Sequence, residues 1–221
     1  MTVCIKSLIR NLNIVIGCTV GCPYCYARTT TRRFHLTDDF ATPVYMPRKL
    51  RILNHPRPQT FLLTGMSDLS DWRSEWQTEV FDHLAQHPQH SYIFLTKRPD
   101  KMDLSIDNNQ VWMGVTVTQN SEKWRIEALR NRIRANHYHV TFEPLFGPID
   151  DLNLEGIEWI VIGTETGGRK GKVVAHPDWI WGLVRQARSH HIPIFMKEDL
   201  VSIVGETNMI QELPASFNQS V

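Results

Sequence analysis

The stretch Trp159-Ile160-Val161-Ile162-Gly163-Thr164-Glu165 holds the pattern from which the fold is read. Its four apolar residues lack the apolar–polar alternation of a strand with one wet face. They suit a strand buried on both faces of a parallel sheet. The run then breaks into glycine, threonine and glutamate, so polar groups sit just past the carboxyl end of the strand. Related β-branched or aromatic runs occur at 13–17, 60–64, 91–96, 111–117, 137–142, 158–162 and 192–196. Between them, apolar residues recur at helical spacing: Trp76, Val80, Phe81 and Leu84; Trp124, Leu129 and Ile133; Ile180, Leu183, Val184 and Ala187. Asp178, just after Pro177, is a good opening for the last of these helices. Strands alternating with helices imply βα units and a parallel sheet. Strand counting leaves two architectures open, a doubly wound sheet and a partial (β/α) barrel.

Polar tails follow most of the runs: Gly17-Cys18, Met66-Ser67-Asp68, Thr96-Lys97-Arg98, Thr116-Val117-Thr118, Phe142-Glu143-Pro144 and Gly163-Thr164-Glu165. Parallel α/β folds place their ligand sites at the carboxyl ends of the strands. The tails are therefore expected to converge on one pocket.

The length of 221 residues suits a single domain over 1–221. A net charge of +1 offers no overall field for nucleic acid or an anionic membrane, although a net value says nothing of distribution. No apolar run reaches 18 residues, and the N-terminus lacks the pattern of a signal peptide, so a cytoplasmic location without membrane contact is expected.

All four cysteines lie at or before position 25, spaced Cys18-x3-Cys22-x2-Cys25 after an early Cys4. A disulfide framework would spread its cysteines along the chain, so this grouping reads as a local ligand set or redox pair. Three thiolates on one short loop can each bind a different iron of a [4Fe–4S] cube and leave the fourth iron open. Such a corner can chelate the amino and carboxylate groups of S-adenosylmethionine (SAM). Rival readings are a glutaredoxin-like dithiol at Cys22-Pro23-Tyr24-Cys25, a zinc-stabilised binding module with Cys4 or His35 as fourth ligand, and cysteines that merely pack as small apolar residues. The dithiol leaves Cys18 unexplained, and zinc sites favour a second ligand pair that the sequence lacks.

The spacing, with the aromatic Tyr24 before the last cysteine, resembles the signature of the radical SAM superfamily. Six elements extend the likeness to a phage- and mobile-element-associated family of unknown function: Gly17-Cys18 through Tyr26-Ala27, Met66-Ser67-Asp68-Leu69, Leu95-Thr96-Lys97-Arg98-Pro99, Trp112-Met113-Gly114-Val115, Phe142-Glu143-Pro144-Leu145 and Trp159–Ile162 with Gly163. The ending Glu212-Leu213-Pro214 fits the same family. The cysteine loop and Thr96-Lys97 are more distantly similar to spore photoproduct lyase.

The resemblance implies a partial (β/α) barrel of about six parallel strands, and a cluster on Cys18, Cys22 and Cys25. The reduced cluster would cleave SAM to a 5′-deoxyadenosyl radical that abstracts hydrogen from a substrate. It implies a reducing donor such as flavodoxin or ferredoxin. Ser67 and Asp68 would accept from the SAM ammonium, with helix capping as the plain alternative. Lys97 would pair with the SAM carboxylate rather than stay solvated. Thr116 is a candidate for the ribose hydroxyls, or an ordinary strand residue. Glu143, set by Pro144 in an extended conformation, is a candidate for ribose or substrate, or for a salt bridge to Arg98 or Lys97. Glu165, in a glycine-bearing loop, is a candidate for the adenosine, or part of a plain loop. Lys197 is a candidate substrate contact. The Arg169–Lys172 run could meet phosphate, and Arg28, Arg32 and Arg33 an electron donor, or all could be solvated. The substrate is unidentified, with nucleic acid and a partner-presented molecule as the candidates, and so short a chain leaves room for a partner protein to close the barrel.

Overall fold

A computed structural model describes residues 1–217. Seven parallel strands form its main sheet: β1 (Ile9–Asn11), β2 (Thr60–Leu62), β3 (Ser91–Thr96), β4 (Val111–Thr116), β5 (His137–Phe142), β6 (Trp159–Ile162) and β7 (Ile194–Met196). Each strand lies beside its predecessor in sequence, and every pairing is parallel. A doubly wound sheet reverses its strand order at a switch point. Here no reversal occurs, and the sheet curls into a half-barrel. The partial (β/α) barrel is thus the correct alternative, with seven strands where about six were expected.

The helices α1 (Tyr26–Phe34), α2 (Ser74–Ala85), α3 (Trp124–Arg132) and α4 (Pro177–Ser189) lie between strands in sequence. Tyr92, Phe94, Met113, Val115, Val140, Phe142, Ile160 and Ile162 point to the convex face. There they share one core with Val80 and Leu84 of α2, Ile126 and Leu129 of α3, and Ile180, Leu183 and Ala187 of α4. Burial on both faces explains the continuous apolar runs, because alternate residues of each strand enter separate cores.

The other alternate set lines the concave face. Register places Ile93 beside Trp112, Trp112 beside His137, Gly114 beside His139 and Val161 beside Thr141. At the amino end, Trp112, Trp159 and Phe195 form a second core with Phe217 of the C-terminal segment. The Phe217 ring meets Trp112 and Trp159 edge-on at 4.9 and 5.1 Å, and the Trp159 indole donates to the Glu212 carbonyl at 3.0 Å.

One strand differs from expectation. The run at 13–17 does not join the main sheet; Ile9–Asn11 does. Leu12, Ile14, Val15 and Ile16 are all buried, which is why their composition imitates a central strand. Val15–Ile16 instead pairs antiparallel with Val44–Tyr45. The true β1 is an edge strand, with one buried residue and two exposed, and edge strands carry a weaker apolar signal. No helix among the described residues is long and apolar enough to cross a membrane.

Candidate active site

The polar tails meet at the carboxyl end of the half-barrel, around a cavity of about 490 Å³. That volume lies in the range of small-molecule and cofactor pockets. Cys18, Cys22, Cys25, Ser67, Asp68, Lys97, Thr116, Glu143 and Glu165, scattered from position 18 to 165, all line it, as does Lys197.

The cysteine loop begins at Gly17. Its φ of +119° disfavours any other residue, and a Cβ there would lie 2.8 Å from the Pro43 backbone. The Gly17 N–H donates to the Met66 carbonyl and the Cys18 N–H to that of Phe40, at 3.0 and 2.7 Å. Ile16, Ala27, Phe40 and Met66 form a small core against which Cys18 and Cys25 pack. Polar groups hold the other side. Asp71 accepts from the Thr19 amide (2.8 Å) and hydroxyl (2.7 Å), and Arg98 bridges Asp71, Ser70 and Thr19. Burial works against ionisation of Asp71, but the Thr19 and Arg98 bonds outweigh it and hold the carboxyl below its usual range. The loop is therefore tied to the tails of β2 and β3.

All four cysteines are free thiols. The Val20 and Arg28 amides donate to Cys18 Sγ and Cys25 Sγ, each at 3.4 Å. Burial pushes the Cys18 thiol up to about 12, with Asp68 and Asp71 adding to the effect. No three Cys, His, Asp or Glu side chains among the described residues converge as ligands of a single metal ion. A cluster's thiolates bind three different irons and need no common point. The donor chemistry of the loop, three reduced thiols with amide N–H groups aimed at two of them, fits such a group.

Asp68 accepts from the Ser70 amide and hydroxyl, the Thr96 hydroxyl and the Lys97 amide, at 2.7–3.0 Å. It caps the turn at Leu69–Asp71 and joins two strand tails, so its carboxylate is already well engaged. Ser67 Oγ accepts from the Trp72 indole at 2.9 Å, which leaves its hydroxyl proton for a ligand. The Lys97 ammonium lies 6.0 Å from the Tyr24 ring centroid, and Tyr24 meets Phe146 edge-on at 5.1 Å. Thr116 is buried on the concave face, whereas the Thr118 hydroxyl and amide donate to Glu122.

Glu143 is ion-paired with Lys197, not with Arg98 or Lys97. Burial disfavours the Lys197 charge, but Glu143, with Asp199 and Glu198 nearby, keeps its pKa above the usual lysine value. Burial also lifts the Asp199 carboxyl to about 6, and neither of its oxygens has a hydrogen-bond partner. Glu165 is buried, and its carboxylate is taken by Arg169 and the Val173 amide, which keep it ionised and close the 165–173 loop on itself.

Sequence reasoning missed His139. Its ring is buried on the cavity wall, where Nε2 meets the Phe94 carbonyl oxygen at 3.1 Å and Nδ1 has no partner. Burial lowers its pKa to about 4, so the imidazole is neutral. A Cβ on Gly114 would lie well inside van der Waals contact of Nε2 of this ring. A glycine in the middle of a strand is the signal that pointed to such a close approach.

These features define a half-barrel protein with a triple-cysteine loop at its carboxyl-end mouth. The chain belongs to a family described as a protein of unknown function (DUF5131), whose model matches residues 5–203. No curated protein and no solved structure matches it.

Proposed function

We propose that this chain is a radical SAM enzyme, with Cys18, Cys22 and Cys25 as the protein ligands of a [4Fe–4S] cluster. The observation that carries the proposal is the meeting of three free thiols with the polar tails of successive strands in one cavity. When bound, the reduced cluster supplies an electron that breaks a C–S bond of SAM, giving methionine and a 5′-deoxyadenosyl radical able to take hydrogen from a substrate.

The residues of the chain bind, orient and exclude water. Ser67 is placed to hydrogen-bond the methionyl end of SAM, while Asp68 fixes the Lys97 backbone and adds negative potential there. Lys97, which has no carboxylate within ion-pair distance among the described residues, is a cation on the wall for the SAM carboxylate. Thr116, Thr141 and the neutral His139 present hydrogen-bonding groups deeper along the concave face. The Glu143–Lys197 pair marks the substrate side, and Trp159 and Val161 give the cavity an apolar floor. A diffusible reductant such as flavodoxin or ferredoxin would supply the electron.

Anaerobic reconstitution tests the ligand assignment without relying on turnover. About four irons and four sulfides per chain are expected. Cys18→Ala, Cys22→Ala and Cys25→Ala should each lose the cluster, whereas Cys4→Ala should retain it. Full iron loading in all three variants would remove the loop from the account.

A further inference from the structure

The net charge of +1 conceals a strong asymmetry. Residues 26–57 hold seven Lys and Arg against two Asp, a net +5; seventeen basic and twenty-one acidic residues, a net −4, remain for the rest of the chain. In that segment Arg28, Arg32, Arg33, Arg48, Arg51 and Arg57 are all exposed. Among the described residues none of the six has a carboxylate within ion-pair distance. Arg98, Arg125, Arg169 and Arg188, outside the segment, are paired with Asp71, Glu122, Glu165 and Glu212.

Three of the six arginines without a carboxylate partner lie on α1, which starts just after the last cysteine of the loop. Of these, Arg28 donates to the Cys22 carbonyl at 3.4 Å and lies 5.9 Å from the Phe40 ring centroid. Arg32 and Arg33 sit in the last turn of α1, where cations favour the helix dipole, but the rest of its make-up does not serve helix stability. Thr29, Thr30 and Thr31 are β-branched, and Arg28 and Arg32 repel at i,i+4. Two aromatic rings stand bare on the same helix, Tyr26 at 58% and Phe34 at 61% exposure. The Arg33 guanidinium lies 5.3 Å from the Phe34 centroid. The Tyr26 hydroxyl donates to the Gly65 carbonyl at 2.6 Å, which fixes that ring at the rim of the cavity.

We propose that α1 is a binding surface for single-stranded nucleic acid, with Arg28, Arg32 and Arg33 on phosphates and the rings of Tyr26 and Phe34 against bases. Unpaired guanidinium groups beside bare aromatic faces are the combination that binds single strands without reading sequence. An acidic protein would satisfy the charge but leave the rings unexplained. A strand on α1 passes the cysteine loop and the cavity mouth. The surface stands or falls independently of what the cysteines hold.

The test is fluorescence anisotropy with the full chain and a labelled mixed-sequence oligonucleotide of about 20 nucleotides, titrated over a salt series. Affinity should fall with salt, each phosphate contact contributing about 0.7 to the log–log slope. Arg28→Gln/Arg32→Gln/Arg33→Gln should weaken binding at least about tenfold at low salt and flatten the slope by about 2. Phe34→Ala should weaken binding about tenfold and leave the slope unchanged. Arg132→Gln/Arg134→Gln, at exposed positions outside the segment, should bind as the unaltered chain does. Absence of binding at low salt, or equal binding by the triple variant, would overturn the proposal. So would polyglutamate of equal charge competing as well as the oligonucleotide, which would assign the surface to an acidic protein.

Discussion

The two ends of the concave face are built from the same strands and do opposite things. At the amino end Trp112, Trp159 and Phe195 pack against Phe217, and the half-barrel is closed by rings. At the carboxyl end the same strands open onto Cys18, Lys97, Thr116, Glu143 and Lys197 around a cavity. The division follows from strand direction. Parallel strands bring all their carboxyl ends to one side, so that side can gather chemistry while the other only needs to be sealed. Substitutions at the sealed end should therefore cost stability, and those at the open end should cost binding.

The largest stability effect is expected at the sealed end. Phe217→Ala removes a ring from between two tryptophans and should lower unfolding free energy by about 3–5 kcal/mol in denaturant titration. A loss below about 1 kcal/mol would mean that the C-terminal segment does not close the barrel. Next comes Gly17→Ala, at the hinge of the cysteine loop, where left-handed backbone and contact with Pro43 combine. A cost of about 2 kcal/mol is expected, read by thermal unfolding.

The open end carries the smaller stability effects and the sign changes. Asp199 has its pKa raised to about 6 by burial, above the roughly 3.9 of an unfolded chain. The folded state therefore binds this proton more tightly, and the carboxyl weighs increasingly against folding as pH rises from about 4 to about 6 and fully above that. Asp199→Asn should stabilise the protein at pH 8, on the order of 1 kcal/mol, with the gain vanishing below about pH 4. A gain independent of pH would show that Asp199 does not titrate in this way. Smallest in stability is Lys97→Ala, expected within about 0.5 kcal/mol of the parent. The same variant should bind SAM about tenfold more weakly by equilibrium dialysis, the worth of one charge-assisted contact. Unchanged SAM affinity would take Lys97 out of the site.

The open end was also the more legible of the two in the sequence. The tails of β2 to β6 announced themselves by a change from apolar to polar residues, and Cys18, Cys22, Cys25, Ser67, Asp68, Lys97, Thr116, Glu143 and Glu165 all line one cavity. The convex core was readable for the same reason, from apolar runs and helical spacing. The edge strand was not, because Ile9-Arg10-Asn11 buries a single residue while the neighbouring Leu12–Ile16 segment buries four. His139 escaped because a histidine inside a strand has no periodicity of its own, and only the glycine opposite made room for it. The paired state of Glu143 depends on Lys197, 54 residues further on, which spacing does not reveal, and that of Glu165 on the 165–173 loop folding back to bring Arg169 to it. Net charge concealed the basic segment because acidic residues elsewhere offset it. The seal at the amino end depends on Phe217, 58 residues beyond Trp159 in sequence, a contact no local pattern encodes.

Radical formation from SAM at the open end, as proposed, is read out by the release of 5′-deoxyadenosine when the reconstituted protein is reduced with dithionite in the presence of SAM. 5′-Deoxyadenosine is expected from the parent chain and none from Cys18→Ala, Cys22→Ala or Cys25→Ala. Intact SAM alongside a full cluster, or one zinc per chain, or a reversible Cys22–Cys25 dithiol without iron, would contradict the proposal.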